Sequence, residues 1–131
     1  GAVDALVDVV GVCAGLLHFG VEQLVCTPPP AGHGQVRTAH GLLPLPAPAV
    51  CELLQGVPTY GVELNQELVT PTGAAIVKAL ASGYGPMPAM TMTGVGYGAG
   101  SQELSNGQPN LLRLVIGTAR IAVEAQEVEV I

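Results

Sequence analysis

The sequence predicts a mixed α/β (α+β) domain, with about three helices packed on a small mixed sheet, and three observations carry that prediction. Apolar residues recur at helical spacing through the first twenty positions. A second stretch, around Thr70, carries both the start and the stop signals of a helix. Several short runs rich in Val, Leu, Met and Thr are separated by Gly, Pro and Asn, as short strands are. With 131 residues, 49% of them hydrophobic, the chain has the length and apolar content of one domain with one core.

From Val3 to Phe19 the apolar residues Val3, Leu6, Val9, Val10, Cys13, Leu16 and Leu17 follow the helical period. Asp4 and Asp8 fall in the first turns, where the helix dipole favours acids, and Gly20 ends the run. Val7, Val12 and Ala14 fill the other face, so this helix is expected to be sandwiched on all sides. Its longest apolar run, Val9 to Leu17, is far short of the ~20 residues that a membrane span requires.

Gln23 to Thr27 reads as a short strand ended by the triple proline. The stretch from Pro28 to Pro48 holds two of three histidines, one of four basic residues and six of eleven prolines, so it is a stiffened loop with a polar centre. Within it, Gln35 to Leu45 is expected to form an extended segment or a hairpin turning at His40-Gly41. Ala47 to Gln55 reads as a short helix with Pro48 in its first turn and Gly56 past its end.

Pro58 to Val62 is expected to be extended, and Glu63 to Glu67 to be a polar connection. The clearest helix follows: Thr70 as N-cap, Pro71 at the first helical position, Ala74 to Leu80 as helix formers, and Gly83 beyond the end. Ala89 to Tyr97 and Leu111 to Gly117 read as strands around a loop from Gly98 to Asn110. We take residues 1–131 as a single domain, with 120–131, including the alternating run Val123 to Ile131, as an edge strand or a linker toward further chain.

Net charge is −6, and the basic residues Arg37, Lys78, Arg113 and Arg120 are scattered, which excludes a nucleic-acid backbone as the main ligand. A single Phe, three Tyr and no Trp leave little for base stacking. Charged residues make up 11% and mean hydropathy is +0.50, so part of the surface is expected to be covered by another copy or by further chain. Three well-separated cysteines fit neither a disulfide framework nor a paired-thiolate metal site, which points to reduced thiols and the cytoplasm. The chain opens without Met or a leader-like segment, and we read it as a fragment.

Three constellations carry candidate chemistry. His33 and His40 could close on a nickel, zinc or copper ion with Cys26, Cys51 or Glu52 as third ligand, the alternative being one surface and one structural histidine. Thr70, Thr72 and Gly73 at a helix start offer N–H groups and hydroxyls to a phosphate or carboxylate, the alternative being an ordinary cap. Gly94 to Gly100 lacks the spacing of a dinucleotide loop; it reads as a glycine strand that another backbone or a flat ligand can approach, with Tyr97 as a stacking platform.

Four collinear segments add a resemblance. GAVDALVDVVG at the start, RTAHGLLPLPAPAVCELLQG, ELVTPTGAAIVKALA, and VGYGAG followed by PNLLRLVIG are similar to the LarC-type nickel-insertion proteins. The resemblance implies a CTP-dependent cyclometallation, with Mg2+ or Mn2+, in which nickel enters a pyridinium-3,5-bisthiocarboxylic acid mononucleotide to make the pincer cofactor of lactate racemase. It also implies that this chain is the later half of an N-terminal domain, with N- and C-terminal parts beyond it; a homo-oligomer is expected from the low charge and high hydropathy. It supports His40 rather than His33, and an anionic mononucleotide suits Arg37 and the Thr70 helix start.

Overall fold

The computed structural model describes residues 2–119; the expected edge strand or linker over 120–131 lies outside them. Three helices form: α1 (Ala2–His18), α2 (Pro48–Leu53) and α3 (Pro71–Leu80). The strands are β1 (Val25–Cys26), β2 (Pro30–Ala31), β3 (Gln35–Thr38), β4 (Gly41–Pro44), β5 (Tyr60–Gly61), β6 (Gly83–Tyr84), β7 (Met90–Ala99) and β8 (Leu111–Ala119). They pair in four two-stranded ladders rather than one sheet: β1 with β6 and β2 with β5 in parallel, β3 with β4 and β7 with β8 antiparallel.

β1 ends at Cys26, before the triple proline as expected, but pairing resumes within the prolines, at Pro30 in β2. Prolines lack a donor but keep an acceptor, and the pairing here runs through acceptors. Leu24 and Cys26 carbonyls accept from Ser82 and Gly85, and Pro29 and Ala31 carbonyls accept from Tyr60 and Val62. The stretch from Leu24 to Ala31 thereby ties together the segment after α3 and the segment after α2.

The two short helices carry the core. α2 has Pro48 at its first position, where a missing N–H costs nothing, and Gly56 adopts φ +82° just past its end. α3 starts as expected, with the Thr70 hydroxyl accepting from Gly73 N–H at 3.1 Å. The helix closes at Ala81, whose N–H donates to the Val77 carbonyl, and Gly83 lies beyond its end as expected, in β6. Ala47, Val50 and Ala74 are buried together, with Leu53, Leu54 and Val69 packed around them. Because Ala74 has no side chain beyond Cβ, α3 can lie close on Val50, which is 1% exposed.

α1 departs most from expectation. It is a helix over the predicted range, yet none of its residues is buried. Val3, Leu6, Val10 and Leu17 are 73%, 64%, 57% and 82% exposed. Among the described residues its packing partner is α3, which covers one side only. The hairpin of β7 and β8 is also open on both faces. An irregularity between Met92 and Gly94 resets its register, so that Gly94, Gly96 and Gly98 share one face with Ile116, Leu114 and Leu112. A Cβ at any of those three glycines would meet only open space.

Candidate functional site

The β3–β4 hairpin presents the polar centre of the proline-rich loop. Its alternation half-buries Val36 and Thr38 and turns Gln35 and Arg37 outward. Thr38 pairs with Gly41, so Ala39 and His40 form the turn, one residue earlier than expected. Gly41 has φ +101°, a conformation that favours glycine. The Thr38 hydroxyl locks this turn: it accepts from His40 N–H at 3.1 Å and donates to the Gly41 carbonyl at 3.0 Å. The His40 imidazole is left at the exposed tip.

At the base of the hairpin the chain packs closely on the connection after Val62. His33 N–H donates to the Leu64 carbonyl at 2.8 Å. Gly32 is buried, and any side chain there would collide with the Gln66 carbonyl. Gly34, at φ +85°, lies against the Asn65 side chain. These contacts set Asn65, Gln66 and Glu67 beside β3.

A cleft of about 510 Å3 results, lined by Val36, Arg37, Thr38, Asn65, Gln66, Glu67, Gln102 and Glu103. Its walls are held by amide side chains. Gln66 donates to the Glu103 carbonyl at 2.9 Å and accepts from Ser105 N–H at 3.0 Å, and Asn110 donates to the Gln102 carbonyl at 2.9 Å. Arg37 brings the cleft its one guanidinium and makes no hydrogen bond or ion pair with the described residues. Lys78, by contrast, is spent on the Gln55 carbonyl. An arginine stays charged at all accessible pH values and presents a planar fork of donors matched to phosphate and carboxylate oxygens.

A second cleft, of about 430 Å3, lies between the start of α3 and α1 and is lined by Thr70, Thr72, Gly73 and Ile76 on one side and Val7, Asp8, Gly11 and Val12 on the other. Here the geometry favours a cap. Pro71 offers no N–H, and the Gly73 N–H already donates to Thr70. Asp8 on the facing wall adds a carboxylate, so this cleft suits a hydroxyl-bearing or cationic group better than a second anion.

The expected site residues are thus divided. Arg37 lines one cleft, Thr70, Thr72 and Gly73 the other, and the two share no residue. His33, His40 and Tyr97 line neither. Tyr97 stands on β7 across from Arg113, 64% exposed, on the opposite face from the glycines. Among the described residues no three His, Cys, Asp or Glu side chains gather closely enough to hold a metal ion, so Cys26, Cys51 and Glu52 do not complete a set with His33 and His40. Cys26 is instead a half-buried thiol on β1 whose pKa burial pushes up, and Tyr84 on β6 is pushed up by burial and then by Cys26.

Asn65, Glu67, Gln102 and Glu103 were not foreseen as site residues. In the sequence they read as a polar connection and a turn-forming loop. The available signal was the clustering of amides and acids in two loops with little other reason to be polar: Asn65 to Glu67, and Gln102 to Glu103.

Comparison with known proteins places this chain in a family. The profile described as nickel insertion protein matches residues 1–131. A protein of Desulfotalea psychrophila assigned to nickel insertion is 60% identical over the whole chain, which covers 34% of that relative. The pyridinium-3,5-bisthiocarboxylic acid mononucleotide nickel insertion proteins of Geobacillus kaustophilus and of a Nocardioides species are 50% and 51% identical over 89% of the chain, covering 28% and 30% of their own lengths. The chain therefore spans about a third of the length of the curated relatives it matches. No solved structure matches it. With a profile match from its first residue to its last, and these identities behind it, the chain belongs to the nickel insertion protein family.

Proposed function

We propose that this chain is part of an enzyme that inserts nickel into pyridinium-3,5-bisthiocarboxylic acid mononucleotide, and that the Arg37 cleft receives the anionic end of that precursor. The observation that carries the reading is an unpaired guanidinium in a polar cleft whose walls are braced by Gln66 and Asn110. A phosphate oxygen pair fits the arginine fork. Glu67 and Glu103 on the same walls suit ribose hydroxyls or the pyridinium cation.

Nickel is substrate in this scheme, and its lasting ligands are the precursor's two sulfurs and ring carbon. His40, exposed at a locked turn, offers a transient imidazole for delivery, with His33 as a second. Thr70, Thr72 and Gly73, and Tyr97 on the face of β7 opposite the glycines, are proposed as further contacts to the precursor. CTP with Mg2+ or Mn2+ belongs to the full-length reaction, and we assign no residue here to it. We place the protein in the cytoplasm. No helix among the described residues is long and apolar enough to cross a membrane.

A second reading, a structural or oligomerising module with chemistry supplied elsewhere in the full-length protein, is favoured by the absence of any buried residue in α1. The two are separated by titrating a pyridinium mononucleotide into the full-length protein. The first reading expects Arg37→Ala to weaken binding by about tenfold, the effect of losing one charge-assisted hydrogen-bonded contact. Equal affinity for both proteins contradicts it. A parallel titration with nickel should show weaker binding in His40→Ala, and an unchanged isotherm removes His40 from the scheme.

A further inference from the structure

We propose that one side of α1 is a helix-docking seam, and that its occupant is a helix from the part of the full-length polypeptide outside residues 1–131. Val3, Leu6, Val10, Cys13 and Leu17 follow one another at alternating steps of three and four, the spacing that keeps one side of a helix in contact with a partner helix. Four of the five are more than half exposed, and Cys13 is half-buried. α3 meets a different side, the one carrying Asp8, Gly11 and Val12. The seam itself has no charged side chain.

A continuous apolar stripe of this length is not a resting state in water. An anionic lipid surface does not suit it, because α1 carries Asp4 and Asp8 and no Lys or Arg to attract such a surface. A second copy of α1 is disfavoured by area. A helix of 17 residues is about 25 Å long, so a seam about 10 Å wide covers roughly 250 Å2 per partner, while stable interfaces bury about 1,200–2,000 Å2 in total. A segment of the same polypeptide escapes most of the entropy cost of association and can dock on a seam this small. The family provides such polypeptide: the chain spans only 34% of the Desulfotalea psychrophila relative.

The test uses the full-length protein carrying Leu6→Cys, with thiol labelling read by peptide mass at residue 6 so that the natural cysteines do not interfere. Docking by the same polypeptide predicts labelling at least about tenfold slower than in the urea-unfolded protein, at every protein concentration. Labelling as fast as in the unfolded protein overturns the proposal, and so does protection that disappears on dilution, which assigns the seam to a second copy. Leu6→Lys gives an independent readout. It should lower the Tm of the full-length protein without changing its mass in solution, and an unchanged Tm overturns the proposal.

Discussion

Replacing Val50 with alanine should cost about 2 kcal/mol of stability, because among the described residues Val50 is the one side chain larger than alanine that is fully buried, at 1% exposure. Two methyl groups are removed, worth about 0.8 kcal/mol each on transfer, or roughly 1.6 kcal/mol together. A cavity term adds to this. The neighbours Ala47 and Ala74 have no side-chain length with which to refill the space. In a chain of this size the loss corresponds to a fall in Tm of about 6–10 °C. Urea unfolding followed by far-UV circular dichroism measures it, with an unchanged slope showing that stability rather than compactness has changed. A loss below about 0.5 kcal/mol would refute the reasoning, since it would mean that α2 and α3 are not held together by this cluster.

Two further outcomes are expected. Thr70→Ala removes the hydroxyl that accepts from Gly73 N–H and should cost about 1 kcal/mol, with Thr70→Ser restoring most of it; thermal unfolding of the three proteins checks this. Stability should also decline as pH rises above the ordinary thiol value of 9.0. Burial raises the folded pKa of Cys26, so the unfolded chain releases this proton first and is favoured once pH passes 9.0, whereas below that value the contribution is fully present. A Tm series from neutral pH to about pH 10.5 should show the decline, and Cys26→Ser should delay its onset.

The local elements were legible wherever short-range chemistry decides them. The Thr70-Pro71 start, the Pro48 first turn and the His40 turn all follow from caps, fixed φ angles and glycine, which act within a few residues. Pairings between distant segments were not legible. That Pro30-Ala31 would pair with Tyr60-Gly61 depends on the Pro29 and Ala31 carbonyls finding donors about thirty residues away, and no local signal announces it. The candidate site shows the same division. Arg37 was identifiable as a rare base in a polar loop, but the amides and acids that complete its cleft arrive from residues 65–67 and 102–103 through long-range contacts. The expectation that α1 would be sandwiched rested on its composition, and composition does not say which polypeptide does the covering.

The central proposal is that Arg37 contacts the precursor in a nickel-inserting enzyme. The decisive measurement is the rate of nickel insertion by the full-length protein at low precursor concentration, wild type against Arg37→Ala. If Arg37 holds the precursor, kcat/KM falls by about tenfold or more, with most of the change in KM, as for a lost binding contact. Identical kcat/KM values for the two proteins would contradict it.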